Sequence, residues 1–130
     1  MKILLTCGPG LEPSENAYMI VVDWKTKEIV DQAEMKHDYY SESHKGFSGG
    51  ALNGRHLLVT SETELFKYKL NPLKLVARTS SELFNDVHHV CEHGGFYYVS
   101  NSGLDSIEVF DRNFKYHKTI PLIRKYGFHA

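Results

Sequence analysis

The sequence predicts an all-β protein, and three observations carry that prediction. Aromatic and β-branched residues are plentiful along its 130 residues, while no stretch sustains the apolar spacing of an amphipathic helix. Short apolar runs alternate with stretches rich in Gly, Pro, Asn and Asp, as strands bounded by turns do. The runs also repeat. Ile3-Leu4-Leu5-Thr6, Leu57-Leu58-Val59-Thr60 and Tyr97-Tyr98-Val99-Ser100 each end in a hydroxyl, and the second and third lie 40 residues apart.

After each run comes a polar turn and a second strand: Ala17 to Asp23, Glu64 to Leu70, and Ser106 to Asp111. A third strand follows every time, as Glu28 to Met35, Lys74 to Thr79, and Lys115 to Leu122. The links Trp24-Lys25-Thr26-Lys27, Asn71-Pro72-Leu73 and Arg112-Asn113-Phe114 are short, which is how antiparallel neighbours are joined. Ahead of the second and third runs lies one more strand of small or polar residues, Gly46 to Leu52 and Asp86 to Glu92. Turns at Asn53-Gly54 and His93-Gly94-Gly95 lead on from these. The first unit is stretched by two polar or Gly/Pro-rich segments, Gly8 to Asn16 and His37 to Lys45, which read as surface loops.

Four antiparallel strands at a period of 40 residues describe a β-propeller blade. The innermost strand is polar because it lines a crowded, wet channel, and the next is the most apolar because neighbouring blades cover it. The expected fold is therefore three antiparallel blades: about 1–36, lacking its inner strand, about 46–80, and about 86–122. The ending Gly127-Phe128-His129-Ala130 has the phase of an inner strand, since Phe47, Val87 and Phe128 are spaced by 40 and 41 residues. Three blades are too few to close a ring, whereas two copies make a six-bladed one. The expectation is a C2 homodimer in which residues 127–130 of each subunit supply the inner strand missing from its partner's first blade. A fragment of a longer chain is the competing explanation.

Asn85-Asp86-Val87-His88-His89-Val90 and the run Phe96 to Asp111, with its Val99-Ser100-Asn101-Ser102 and Ser106-Ile107-Glu108-Val109-Phe110-Asp111 segments, resemble a blade of the six-bladed NHL and SMP-30/gluconolactonase-like propellers. The resemblance is best over Asp86 to Leu122, and its pattern identifies a fold more than an activity. It implies a divalent cation in the channel, often calcium, held by Asn, Asp and Glu at blade entrances. The matching positions here are Asp86 and Asn101, and the activity implied is metal-dependent hydrolysis of the lactonase kind.

Composition narrows the partners. A formal net charge of −1, from 15 basic and 16 acidic residues with no basic run, gives no reason to expect nucleic acid or an anionic membrane surface. The opening apolar stretch is too short for a secretory signal, which suggests a cytoplasmic protein. Cys7 and Cys91 have no zinc-like or Cys-x-x-Cys spacing and read as reduced, buried thiols.

Asp86 and Asn101 are oxygen donors of the kind hard cations prefer, and both types are equally ordinary turn formers. His88, His129 and Ser48 share one repeat phase, so histidines from several blades would converge at the channel. There they could ligate a transition metal, bind an anion, or act as acid and base, or simply line a wet channel. The candidates are therefore His88 and His129 for catalysis, Asp86, Asn101 and His88 for a metal, and Ser48, His89, Tyr39 and Tyr40 for a ligand. Strand alternation sends His88 and His89 to opposite faces. Phe96, Tyr97, Tyr98 and Phe110 belong to packing between blades. No Gly-x-Ser-x-Gly elbow surrounds Thr60 or Ser100, so no nucleophile is expected. Two functions follow: a ligand-binding or interaction scaffold for a small polar molecule or a protein, and, alternatively, a metal-dependent hydrolase or lyase.

Overall fold

A computed structural model describes residues 1–7, 17–35 and 46–122, with the backbone alone for Cys7. Eleven strands occur among them: β1 (Lys2–Cys7), β2 (Tyr18–Asp23), β3 (Ile29–Glu34), β4 (Gly50–Asn53), β5 (His56–Thr60), β6 (Glu64–Lys69), β7 (Lys74–Ser80), β8 (Val87–His93), β9 (Phe96–Asn101), β10 (Ser106–Asp111) and β11 (Tyr116–Pro121). A 3₁₀ turn spans Ser102–Leu104. Among the described residues no helix is long and apolar enough to cross a membrane. Tyr39, Tyr40, His129 and the terminal segment 127–130 lie outside the described residues.

The strands form three antiparallel sheets, each a meander. Sheet one is β1-β2-β3, sheet two β4-β5-β6-β7 and sheet three β8-β9-β10-β11. The molecule is all-β with repeated blade-like sheets, an arrangement that fits a propeller-like fold. Sheet one has three strands and the others four, so β1 carries no neighbour on its outer edge among the described residues, whereas β5 and β9 are flanked by β4 and β8.

The turns follow from their residues. Gly94 and Gly95, at φ 59° and 86°, are the two central residues between His93 and its partner Phe96. A two-residue hairpin with both positions left-handed is where glycine is needed. Asp23 Oδ1 accepts the amides of Lys25 (2.8 Å) and Thr26 (3.3 Å), and Asp111 Oδ1 those of Asn113 (2.8 Å) and Lys115 (2.9 Å). One Asx turn thus closes both β2–β3 and β10–β11. In sheet two the corresponding link passes through a cis Asn71-Pro72 bond instead.

Strand alternation then builds two cores between three sheets. Ala17, Met19 and Met35 of sheet one meet Phe47, Leu57, Val59, Phe66 and Tyr68 of sheet two. On the opposite face of sheet two, Leu58 and Leu65 meet Val87, Val90, Tyr97, Val99 and Phe110 of sheet three. Covered from both sides, β5 is buried at Leu57, Leu58, Val59 and Thr60, which is why its run is continuously apolar instead of alternating. Edge-to-face pairs fix these contacts, with Phe47 on Phe66 at 5.5 Å and Phe84 on Phe110 at 5.4 Å. Phe96 and Tyr98, assigned from sequence to the same packing, are only half-buried on the other face of β9.

Candidate functional site

The polar candidates gather where the inner strands begin. Regular pairing in β4 starts at Gly50 and not Gly46, yet two further bonds extend the association: the Ser48 amide donates to Thr60 O (2.8 Å) and the Thr60 amide to Gly49 O (2.9 Å). Ser48 Oγ lies 2.8 Å from the Thr60 hydroxyl and 3.1 Å from Val87 O, the first residue of the neighbouring inner strand. The Val87 amide in turn donates to Glu62 O (3.0 Å), in the link between β5 and β6. Sheets two and three are therefore joined at this end by one main-chain bond and one from the Ser48 hydroxyl, as well as by their core.

The inner strands also approach closely. A Cβ on Gly49 would stand 2.3 Å from His88 O and 2.6 Å from His89 Nδ1. Only glycine leaves room for that crossing.

Asp86 enters β8 in the left-handed region, at φ 59°, a conformation that Asp tolerates better than most residues. Its carbonyl accepts the Ser102 amide (3.2 Å), and its carboxylate Oδ2 lies 3.2 Å from His88 Nε2. Side-chain exposures of 54% for His88 and 33% for Asp86 leave this pair accessible to solutes. It becomes charge-assisted whenever the imidazole is protonated.

Two sequence expectations are corrected here. His88 and His89 do not alternate across the strand: the register jumps from Val87↔Asn101 to His89↔Ser100, so His88 is the extra residue of a β-bulge. That extra residue returns Val90 to the face of Val87 in the core and leaves both histidines exposed. Cys91 is free, as expected, but exposed instead of buried, because it lies on the face of β8 away from Val90.

Asn101 is buried to 1% and turned into the sheet. Its Oδ1 accepts the Asn85 amide (3.0 Å), and its Nδ2 donates to Leu83 O (2.5 Å) and reaches Glu108 Oε1 (3.3 Å). Among the described residues no group of three or more His, Cys, Asp or Glu is arranged to hold a metal.

Sequence reasoning missed the group that Asn101 serves. Glu108 is fully buried, and its carboxylate accepts from Ser106 Oγ (2.7 Å), Asn101 Nδ2 and the Thr119 hydroxyl, which also meets Tyr116 Oη at 2.9 Å. Three donors make a carboxylate tolerable inside a protein. The signal was present in Ser106-x-Glu108, two polar residues on one face of an apolar strand, with Thr119 directly opposite Glu108.

No family model matches this chain, and no curated protein matches it. Among solved structures, a protein of unknown function from Bacteroides caccae is similar over 92% of this chain, with 12% identity and a TM-score of 0.47. The chain spans 57% of that protein's length.

Proposed function

We propose that this chain is a ligand-binding scaffold: three blades of a six-bladed propeller that a second copy closes, with a small polar molecule held at the channel mouth. The reading of the mouth rests on one observation. The starts of two neighbouring inner strands are tied together at Ser48 and Val87, and the exposed Asp86–His88 pair and His89 stand beside that junction. Exposed imidazoles next to a carboxylate suit a polar solute that both accepts and donates hydrogen bonds.

Closure is supported by what the end sheets lack. Among the described residues, sheet two has a core on each face, and sheets one and three have one each. The other face of sheet one carries Ile3, Leu5, Ile20 and Val22, with Leu5 46% exposed, and the other face of sheet three carries Phe96, Tyr98 and Ile107. Apolar sheet faces of this kind seek a partner. A second copy would supply each face with the other, and its residues 127–130 would pair with the open edge of β1.

Light scattering tests closure: the intact chain should run at twice its 14.9 kDa mass, and removal of residues 127–130 should shift it towards monomer. A stable monomer of the intact chain refutes the ring. For the mouth, the imidazole resonances of His88 and His89 should shift saturably with inorganic phosphate, and Asp86→Ala or His88→Ala should abolish the response. Tightly held calcium or zinc in the purified protein, lost in the same variants, would instead favour the metal-dependent hydrolase. No response to any of the three solutes would remove the site.

A further inference from the structure

Asp86 belongs to segment 83–86, which leads into β8 ahead of its regular pairing. The end of β9 and the turn after it hold that segment in place. The Asn101 carboxamide accepts the Asn85 amide at Oδ1 (3.0 Å) and donates from Nδ2 to Leu83 O (2.5 Å), so it grips the chain on both sides of Phe84. The Gly103 amide donates to Asn85 O (2.8 Å), the Ser102 amide to Asp86 O (3.2 Å) and, one residue further on, the Val87 amide to Glu62 O (3.0 Å). Asp86 is thus pinned on both sides, and its carboxylate is delivered to His88, the extra residue of the bulge.

That grip works in one orientation of the carboxamide. Nδ2 faces two oxygens, Leu83 O and Glu108 Oε1 (3.3 Å), while Oδ1 faces an N–H. Turned over, the oxygen would meet two acceptors and the nitrogen a donor. Fully buried Glu108, held in turn by Ser106 and Thr119, fixes the orientation from behind.

Packing alone does not call for this arrangement. Where sheet three has Glu108 opposite Val99, sheet one has Ile20 opposite Leu5 and sheet two has Phe66 opposite Val59. In the place of Asn101, directly after the hydroxyl-ended run, sheet two has Ser61. The Glu108–Asn101 pair therefore occurs in the sheet whose inner strand carries Asp86 and His88, and its counterparts in the other sheets are filled without it.

We infer that Asn101, oriented by Glu108, is the positioning residue of the mouth: it sets where the Asp86 carboxylate stands against His88. This role deepens, and rests on, the reading of the mouth as a binding site; the coupling of Asp86 to His88 exists with or without a ligand.

The test is a double-mutant cycle read by NMR on the intact chain at one pH. Asp86→Asn, which keeps a residue tolerant of the left-handed backbone, should move the imidazole resonances of His88 and leave those of His117 unchanged. In the Asn101→Ala background the same substitution should move His88 by less than half as much. Gly103→Ala should also weaken the coupling and leaves the core untouched, because its Cβ would stand 2.6 Å from Asn85 O and push the segment off the turn; it decides the matter if Asn101→Ala does not fold. Glu108→Gln keeps an acceptor for Asn101 Nδ2 and should preserve the coupling. Leu57→Val, a loss of core packing at the far end of β5, should preserve it too and controls for stability. With inorganic phosphate, Asn101→Ala should weaken the parent's His88 response about fivefold while Leu57→Val matches the parent. A His88 that ignores Asp86→Asn, undiminished coupling in folded Asn101→Ala, or an equal loss in Leu57→Val would each overturn the positioning role. A parent that ignores phosphate, with the coupling still lost in Asn101→Ala, would remove the binding site and uphold the positioning.

Discussion

Removing one hydroxyl, in Tyr68→Phe, isolates a pH dependence that the core between sheets one and two builds into this protein. Tyr68 is 2% exposed and packs against Phe47 and Phe66, with centroids 6.2 and 6.4 Å away. Its phenol is pushed up from 10.0 to about 12, chiefly because burial penalises the phenolate; Arg78 works against that shift and Glu64 adds to it. Between those two values the unfolded chain has released the proton and the folded chain still holds it. Stability therefore falls as pH rises through this window, and the contribution is intact below about pH 10. Two pKa units correspond to about 2.7 kcal/mol. Urea unfolding followed by circular dichroism between about pH 9 and pH 12 should show Tyr68→Phe losing less stability than the parent, by up to that amount. The other tyrosines and the lysines titrate in both proteins and cancel in the difference. Equal losses in the two proteins would refute the burial argument.

Gly49→Ala should destabilise by about 1–3 kcal/mol, because its Cβ would meet the backbone oxygen of His88 and force the inner strands apart; chemical denaturation measures it, and retained Ser48–Val87 geometry with no loss would count against the crossing. Asn101→Ala strips a donor from buried Glu108 and leaves the Asn85 amide and Leu83 carbonyl without their partner. A loss of about 1–3 kcal/mol is expected from the same denaturation, chiefly from the buried Glu108 carboxylate left one donor short, since water can reach Leu83 and Asn85. Asp23, held below its ordinary value by the Lys25 and Thr26 amides, contributes stability that is present above about pH 4 and lost as pH falls through its lowered folded value. Asp23→Asn should flatten the acid limb of the stability curve, and an unchanged acid limb would rule out this turn as a contributor.

The strands were legible because their signal is local and repeated. Hydroxyl-ended apolar runs such as Leu57–Thr60, each followed by a turn with a fixed partner, locate the sheets without knowledge of any tertiary contact. The inner strands were less legible for a physical reason. Gly49 carries no side chain, so its tight approach to His88 and His89 is invisible until two sheets are placed together. The bulge at His88 is likewise a property of pairing with β9, and it cancels the alternation that a single strand implies. Asn101 was read by its type, as a turn former or a cation ligand. Its real surroundings depend on Glu108, seven residues on, whose burial no local pattern requires.

Closure of two copies into one ring makes a geometric demand that the strand count alone does not. In the proposed ring the face of sheet one that carries Leu5 would meet the face of sheet three that carries Phe96 and Tyr98, a head-to-tail contact. Such a contact closes with two copies only if three sheets sweep half a turn; any other angle propagates into an open filament. Strand addition at β1, if the partner supplies it as proposed, would pull towards closure, because it would add main-chain hydrogen bonds along an edge that has no neighbour among the described residues. The two cases separate in one measurement. A mass fixed at two chains across a concentration series fits the ring. A mass that grows with concentration would mean that the unlike faces do pair while the sweep falls short, and the ring would fail although the complementarity of the faces survived.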